Sequence, residues 1–208
     1  MTEASTTVFL VDDDPGVLKA LTRLLRVAGH TVRAFASPQD FLAGHDPAVP
    51  GCAVFDVAMP GLDGLQLQAA LTSGGIDRPV IFITGVGDIP TSVRAMKAGA
   101  VDFLTKPLDH RQLLAAVARA ADMDAAARHR HSELASLRQR LATLTPRERE
   151  VFGHVVAGRL NKQIAHELGT VEKTIKVHRG RMMSKLGVRT VADLVRLAAQ
   201  VEADTPGQ

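Results

Sequence analysis

Four short apolar runs in the first half of the chain each lead into a charged or hydroxyl-bearing residue. The runs are VFLV, CAVF, VIFI and AVDFL, and the residues that follow are Asp12 with Asp13, Asp56, Thr84 and Lys106. Continuous runs of branched and aromatic side chains are typical of parallel strands that are buried on both faces. Because the carboxyl ends of such strands form a ligand crevice, these polar groups are expected to meet at one edge of a sheet.

Strand-like and helix-like segments alternate through this first half. The strand-like runs cover residues 8–11, 31–35, 52–55, 80–83 and 100–104, and a helical pattern follows each of them. In the second of these helices we expect Phe41 and Leu42 to face inward. Five strands that alternate with five helices predict a doubly wound α/β fold with a five-stranded parallel sheet.

The two halves of the chain differ in charge. Residues 1–125 hold 10 Lys and Arg against 14 Asp and Glu, whereas residues 126–208 hold 15 against 8. A basic second half favours a module that faces nucleic acid, and a basic surface without such a role is the alternative. The chain has no Trp or Tyr and only seven Phe, so binding of single strands by base stacking is not expected.

The sequence predicts a cytoplasmic protein with no membrane partner. Its start, MTEASTT, lacks the apolar core of a signal peptide, and no apolar stretch reaches the ~18 residues that a membrane span needs. Cys52 is the only cysteine, so an intramolecular disulfide is impossible, which fits a reducing compartment. Its apolar surroundings indicate a small core residue.

Beyond about residue 121 the strand patterns stop and helical ones continue. We predict a linker helix over residues 122–142 with a narrow leucine stripe, Leu134, Leu137, Leu141 and Leu144. This stripe suits pairing with another helix or packing on its own domain, and both alternatives stay open. His129 and His131 lie in the same stretch, where a solvated helix face is the alternative to a metal site.

A helix-turn-helix pattern follows the linker. Thr145, Pro146 and Glu148 fit the cap and first turn of a helix. A short amphipathic helix over 161–168, a glycine turn and a basic helix over 172–186 come next, and a last helix covers 190–201. We therefore predict three parts: a domain over residues 1–121, the linker helix over 122–142, and an all-α four-helix domain over 143–208.

The polar residues at the strand ends suit phosphoryl transfer, which needs a nucleophile, a divalent cation and positioned positive charge. Asp56 ends the central strand and is the best candidate for the nucleophile. Asp12 and Asp13 offer oxygen ligands to Mg²⁺, and Thr84 and Lys106 suit contacts to phosphate oxygens. The alternative is that these are separate caps and turn residues.

Residues 8–122 resemble the receiver domain of two-component response regulators, which has a flavodoxin-like fold. The matching segments are VDDDPGV, FDVAMPGLDG, FITGVGDIP and VDFLTKPL, and the region that ends in the last of them is similar to the FixJ-type branch. The resemblance implies that Asp56 is the phosphoacceptor and that Mg²⁺ is held by Asp12, Asp13 and the backbone carbonyl of Ala58, with Asp13 the closer carboxylate.

The same resemblance gives roles to the residues that sense the phosphoryl group. It implies that Thr84 and Lys106 contact the phosphoryl oxygens and that Phe103 is the switch aromatic, which rotates inward when Thr84 moves. It also implies dimerisation through the face of the helix over residues 90–98 and the strand over 100–104. The candidates on that face are Val93, Arg94, Lys97 and Ala98.

Residues 144–197 resemble the LuxR/FixJ-type DNA-binding domain through LTPREREVF, NKQIAHELG, EKTIKVHRGRMMSKLGV and ADLVRLA. By this resemblance Lys176 and Val177 face the bases. The full set expected to contact DNA is Lys173, Thr174, Lys176, Val177, His178, Arg179, Arg181 and Lys185. Two positions depart from the pattern: Val171 replaces the usual capping residue, for which Thr170 is an alternative, and Gly180 favours close approach to DNA or to a neighbouring helix.

The two resemblances together imply a transcription regulator that is controlled by phosphorylation and is not an enzyme beyond Mg²⁺-dependent self-phosphorylation and slow self-dephosphorylation. The implied partners are a sensor histidine kinase, double-stranded DNA with paired half-sites, a second copy of the chain and RNA polymerase. Two rival hypotheses remain at this point. One is an aspartyl-phosphate phosphatase or other phosphotransferase, and the other is a DNA-binding protein whose dimerisation needs no phosphate.

Overall fold

The computed structural model describes residues 6–85 and 89–203. Contacts divide the chain into two compact units, Met1–Arg128 (unit one) and His129–Gln208 (unit two). Our limits for the two domains and the linker at residues 121 and 142 stay a prediction. None of the helices in the described ranges combines the length and the apolar character of a membrane span.

Unit one contains a five-stranded parallel sheet, as the sequence predicted. Its strands are β1 (Thr7–Val11), β2 (Thr31–Phe35), β3 (Gly51–Asp56), β4 (Val80–Thr84) and β5 (Asp102–Thr105). They lie in the order β2-β1-β3-β4-β5, and every neighbouring pair is parallel. The chain order reverses between β1 and β3, which is where a doubly wound sheet opens its crevice.

A helix follows each of these strands, as the sequence predicted. These helices are α1 (Pro15–Val27), α2 (Pro38–Gly44), α3 (Gly64–Ser73), α4 (Ile89–Lys97) and α5 (His110–Ala142). Asp14 caps α1, because its side chain accepts hydrogen bonds from the backbone N–H groups of Gly16 and Val17. The α1 cap therefore fixes the turn that follows the carboxyl end of β1.

The sheet is covered on both faces, which explains the continuous apolar runs. Val8 and Leu10 of β1 belong to one core cluster, whereas Phe9 and Val11 belong to the other. Of the two residues predicted to face inward in α2, Phe41 is fully buried but Leu42 is exposed. The prediction for Leu42 was wrong, because this short helix buries only a narrow face against the sheet.

Residues 122–142, for which a linker helix was predicted, are helical and form the second part of a longer helix. Helix α5 runs without a break through 33 residues, and the boundary between the two units falls within it, after Arg128. The stretch contains neither Gly nor Pro, so nothing in the backbone ends the helix earlier. Leu137 and Leu144 from the leucine stripe are buried in the core of unit two, which is the own-domain alternative of the sequence analysis.

Unit two is helical throughout its described part. After the end of α5 come α6 (Pro146–Val156), α7 (Asn161–Glu167), α8 (Glu172–Leu186) and α9 (Val191–Ala203). Thr145 and Glu148 form the predicted capping box at the start of α6. Val171 is the N-cap of α8 and makes no side-chain capping bond, so Thr170 does not take over that role. The fourth helix closes the core around the α7–α8 pair.

Candidate functional site

The parallel register brings the predicted polar residues of unit one to a single edge of the sheet. Val11 lies opposite Phe55, Asp56 opposite Ile83, and Thr84 opposite Thr105. Strands β1, β3, β4 and β5 therefore end side by side. The residues that end or follow these strands meet in what we call the acidic edge: Asp12, Asp56, Thr84 and Lys106.

Lys106 joins two carboxylates at the acidic edge. Its Nζ donates hydrogen bonds to Asp12 Oδ2 at 2.8 Å and to Asp56 Oδ1 at 2.7 Å. Both carboxylates are almost fully buried, whereas the Lys106 side chain keeps a quarter of its surface exposed. A single ammonium thus bridges two carboxylates that lie far apart in the sequence.

Backbone groups hold the second oxygen of each carboxylate. Asp12 Oδ1 accepts a hydrogen bond from the Asp14 N–H at 2.9 Å. Asp56 Oδ2 accepts one from the Ala58 N–H at 2.7 Å. Ala58, which was expected to offer its carbonyl to a metal, therefore also fixes Asp56 through its amide. Both carboxylates are oriented by local turns and not only by Lys106.

Burial and charge shift two pKa values at this edge. Desolvation raises the pKa of Asp12 above its ordinary value, although the Lys106 ammonium and the Asp14 N–H act in the opposite direction. Desolvation alone would lower the pKa of Lys106, but its hydrogen bonds to Asp12 and Asp56, together with their negative charges, outweigh burial and raise it. The pair of buried carboxylates is therefore stabilised by a cation.

The oxygen donors at the acidic edge fit a hard divalent cation. Asp12 and Asp56 already share one cation within hydrogen-bonding distance, and Mg²⁺ binds through one or two carboxylates while keeping several waters. Asp13 is exposed beside them. Among the described residues, no group of three or more His, Cys, Asp and Glu side chains lies in metal-binding geometry. His129 and His131 therefore belong to no such group.

Thr84 and Phe103 lie on the strands next to Asp56. Thr84 is buried, and its backbone carbonyl accepts a hydrogen bond from the Lys106 N–H at 2.7 Å. Phe103 is partly buried, and its ring centroid lies 6.4 Å from that of Phe82. The predicted dimerisation residues of α4 and the residue after it, Val93, Arg94, Lys97 and Ala98, are all exposed.

A second buried network, which was not predicted from the sequence, lies at the amino end of β3. Arg78 is buried, and its guanidinium donates to His45 Nε2 at 2.7 Å and to the carbonyls of Gly51 and Val49 at 2.9 and 3.0 Å. Asp124 accepts from the Gly51 N–H and from Arg128 Nε, both at 2.8 Å. No spacing rule links these positions, and most of their partners are backbone groups.

In unit two, α8 presents a cationic face to solvent. Its apolar residues Ile175, Met182 and Leu186 are buried. Of the predicted DNA-contacting residues, five are exposed: Lys173, Lys176, Val177, Arg181 and Lys185. The other three are half-buried: Thr174, His178 and Arg179. An exposed helix with this charge suits the major groove of DNA.

Three of these residues also make contacts within unit two. Lys176 pairs with Glu172 at 3.2 Å, and Arg179 donates to the Asn161 side chain at 3.0 Å, which ties α8 to the first turn of α7. Lys185 donates to Glu148 Oε2 at 2.6 Å and to the Thr143 carbonyl at 3.0 Å.

The Lys185–Glu148 contact also sets the ionisation of the α6 cap. The hydrogen bond from Lys185, with the backbone bond from Thr145, lowers the pKa of Glu148 to about 2. Glu148 therefore stays ionised while it holds both the cap of α6 and the last turn of α8. The sequence offered only the capping signal for this residue.

Comparisons with known proteins identify both units. Residues 8–118 match the response regulator receiver domain, and residues 142–198 match the bacterial regulatory proteins of the luxR family. The fold and the two sites thus define a response regulator with a DNA-binding output domain. The chain belongs to the LuxR-family response regulators, which are transcriptional regulators and not classical enzymes.

Several characterised proteins are similar to this chain over almost its whole length. Nodulation protein W of Bradyrhizobium diazoefficiens is 47% identical over 199 residues, 95% of this chain and 88% of that protein. Transcriptional regulatory protein FixJ of Rhizobium meliloti is 40% identical over 192 residues, 92% of this chain and 94% of that protein. The solved structure of response regulator StyR has a TM-score of 0.85 at 45% identity, and the match covers 95% of this chain and 100% of that one.

Proposed function

We propose that phosphorylation of Asp56 by a sensor histidine kinase switches this regulator into a DNA-binding dimer. The observation that carries the proposal is the Lys106 bridge between Asp12 and Asp56. This bridge holds the acceptor carboxylate, at the carboxyl end of β3, beside an ammonium that is able to contact a phosphoryl group on Asp56. Such a charge stabilises the oxygens of the transferred phosphate.

The reaction is a transfer from a phosphohistidine nitrogen to a carboxylate oxygen. An oxygen of Asp56 bonds to phosphorus while the P–N bond of the donor breaks, and the freed imidazole takes up a proton from solvent. Mg²⁺, held by Asp12, Asp13, Asp56 and the Ala58 carbonyl, would neutralise the phosphoryl oxygens. Lys106 keeps its contact to the acceptor side chain, and the Ala58 N–H orients the carboxylate.

Phosphorylation adds about −1.5 to −2 charge at Asp56, which would draw the Thr84 hydroxyl and the Lys106 ammonium toward the phosphate. Movement of Thr84 would leave room for Phe103 to turn inward from its partly buried position. The face of α4 and β5 then becomes the dimer interface. Val93 and Met96 support this role, because both are large apolar side chains that are about half exposed.

A dimer brings two α8 helices to paired half-sites about one helical turn apart on DNA. In this proposal Lys176 and Val177 read base edges. Lys173, Thr174, His178, Arg179, Arg181 and Lys185 contribute mainly phosphate contacts, which position the domain without reading sequence. RNA polymerase is the proposed downstream partner. An almost complete switch needs about 5.5 kcal/mol of differential stabilisation, so some dimer is expected without phosphate.

The test compares Asp56→Asn with Asp77→Asn, a control at an exposed carboxylate outside the acidic edge. Both full-length variants are incubated with labelled acetyl phosphate and Mg²⁺. We expect Asp77→Asn to take up label and Asp56→Asn to take up none. Labelling of Asp56→Asn would overturn the assignment of the acceptor.

A second measurement separates phosphate-controlled from phosphate-independent dimerisation. Light scattering of the wild-type chain with and without beryllofluoride should show a shift from monomer toward dimer. The Val93→Glu variant should stay monomeric at the same concentration while still accepting label. A dimer fraction that does not respond to beryllofluoride would favour the rival in which dimerisation needs no phosphate.

A further inference from the structure

Gly180 lies in the middle of α8, where glycine is a poor choice for the helix itself. An interior glycine weakens a helix by about fivefold in its folding equilibrium relative to alanine. The backbone does not need a glycine here, because Gly180 is absent from the glycines with a positive φ. The backbone conformation of α8 therefore does not require glycine at this position.

Packing within unit two does not explain Gly180 either. A Cβ atom built on this residue would meet no heavy atom within 4 Å in the described parts of the chain, apart from its chain neighbours and the backbone of its own helix. The sequence analysis left two alternatives open, close approach to DNA and close approach to a neighbouring helix. The open space removes the second of these for the described residues of this chain.

The position of Gly180 on the helix indicates which surface uses this space. Residues three and four positions apart lie on the same side of an α-helix, so Gly180 shares a face with Val177 and Lys176. Val177 is 45% exposed, and the Lys176 side chain is 65% exposed. Because Gly180 has no side chain, the surface beside the exposed Val177 and Lys176 lacks a Cβ at this point. We call this small apolar step beside a lysine the notch.

We propose that this notch receives the 5-methyl group of a thymine in the major groove, so that Gly180 and Val177 determine base preference by shape. The inference rests on the proposed DNA-binding function and deepens it. A thymine methyl is the one apolar group that a base presents in this groove. It needs no hydrogen-bonding partner, and neither a glycine nor a valine side chain offers one. The cations on the same helix supply the attraction to the phosphates that flank it.

The chain offers a matched control for the test. Gly153 is also an exposed glycine inside a helix, α6, with no atom within 4 Å of an added Cβ. Gly180→Ala and Gly153→Ala should both raise the midpoint of thermal unfolding of the full-length chain. A gain in stability in both variants would show that both fold. A loss of DNA binding in Gly180→Ala alone would then be caused by the added methyl group at position 180.

The experiment starts with selection of binding sites from a duplex library with a randomised window. Wild type, Gly180→Ala and Gly153→Ala, each full length and activated with beryllofluoride, are compared. We expect wild type and Gly153→Ala to select the same motif with the same affinity. Gly180→Ala should bind that motif at least about fivefold more weakly, the lower end of the cost of one mismatched base pair, with an unchanged salt dependence.

The second step replaces each thymine of the motif by deoxyuridine, which lacks only the 5-methyl group. At one position in each half-site, wild type should lose affinity on losing the methyl, whereas Gly180→Ala should lose clearly less or gain. This coupling identifies the methyl that fills the notch. Equal losses for both proteins at every thymine, or an unchanged affinity of Gly180→Ala for the motif, would overturn the inference.

The design keeps this inference apart from the proposed function. If wild type selects a motif equally well with and without beryllofluoride, the proposed control by phosphorylation is overturned. The thymine contact is then still tested by comparing wild type and Gly180→Ala on thymine and deoxyuridine sites. If wild type selects no motif at all, the function as a sequence-specific regulator and the inference that rests on it are both overturned.

Discussion

The two ends of β3 each carry a cluster of buried charge, but the clusters are built differently. At the carboxyl end, Lys106 bridges Asp12 and Asp56. At the amino end, Arg78 and Asp124 hold the backbone on both sides of Gly51. The strand is only six residues long, so the same element supports both clusters. Their partners differ in kind, and this difference separates a site from a structural network.

The partners of the amino-end cluster are mostly fixed. The Arg78 guanidinium donates to His45 and to several backbone carbonyls of the segment before and at the start of β3, and it lies over the Phe9 ring at 4.3 Å. Arg128 donates to carbonyls of the same segment. The backbone carbonyls of residues 46–49 cannot move away from these guanidinium groups unless the segment unfolds. Arg78 and Arg128 therefore stabilise the fold.

The partners at the carboxyl end can be exchanged. Lys106 is partly exposed, and within the described ranges its Nζ hydrogen-bonds to side-chain carboxylates alone. A divalent cation or a phosphoryl group competes for the same oxygens without any change in the backbone. A buried charge whose partners are exchangeable is thus suited to a switch, and the four predictions that follow test this distinction.

The largest effect is expected at Arg78. Replacement by Met removes the guanidinium and leaves several buried carbonyls without their hydrogen-bond donor. We expect the free energy of unfolding, measured by urea unfolding, to fall by about 3–5 kcal/mol, because each buried carbonyl left without a donor costs about 1–3 kcal/mol. Arg119→Met is the control, since its ion pair with Asp102 is about half exposed and such pairs contribute about 0–1 kcal/mol. Similar losses in both variants would mean that the amino-end cluster does not stabilise the fold.

A smaller and reversible effect is expected for Lys106→Met. The substitution leaves two buried carboxylates without their shared cation, which should lower the free energy of unfolding by about 1–3 kcal/mol. Added Mg²⁺ should restore part of this loss, because it binds the folded state and replaces the missing cation. It should stabilise Arg78→Met no more than it stabilises wild type, because that variant keeps Lys106. The urea midpoints of both variants with and without Mg²⁺ check this. Equal responses to Mg²⁺ would contradict the distinction between exchangeable and fixed partners.

The amino-end cluster should also be sensitive to pH, through His45. Burial, followed by the nearby charge of Arg78, lowers the pKa of His45 from 6.5 to about 4. The unfolded chain therefore takes up a proton at a higher pH than the folded one. The contribution of neutral His45 to the free energy of unfolding should be fully present above pH 6.5. It should be lost as the pH is lowered toward 4.

His45→Gln provides the measurement for this titration. Its free energy of unfolding, from urea titrations at a series of pH values, should depend less on pH between 6.5 and 4 than that of wild type. His110→Gln, at an exposed position, should keep the wild-type slope. If the two variants show the same slope, another group is responsible for the acid sensitivity.

The sequence predicted the carboxyl-end cluster and missed the amino-end one for a physical reason. Asp12, Asp56 and Lys106 stand at strand ends, and the parallel sheet converts that shared position into proximity. Arg78 lies just before β4 and Asp124 lies in α5, and only the folded chain brings them to the start of β3. Their backbone carbonyl acceptors cannot be recognised from a sequence. From the sequence, an isolated arginine before a strand is expected to lie at the surface, and only the structure shows that Arg78 is buried.

Helix ends and exposed faces show the same division between local and tertiary information. The capping box of Thr145 and Glu148 was predictable, because its parts lie within one turn. The bond from Lys185 to Glu148 was not, because it spans 37 residues. Leu42 was predicted to face inward, but the narrow contact of α2 with the sheet leaves it exposed.

The smallest effect on stability is expected for Asp12→Asn, and it gives the sharpest test of the comparison. Because burial raises the pKa of Asp12, the folded state binds its proton more readily than the unfolded state. The stability that this carboxyl contributes is therefore greatest below its ordinary pKa and is lost as the pH rises through the raised value. At neutral pH an uncharged amide should leave the free energy of unfolding unchanged or slightly higher.

Mg²⁺ binding to Asp12→Asn, measured by the metal dependence of acetyl phosphate labelling, should weaken by at least about tenfold, since one of few carboxylate ligands is lost. A variant that is strongly destabilised but labels at the wild-type Mg²⁺ concentration would show that Asp12 belongs to the fold and not to the site.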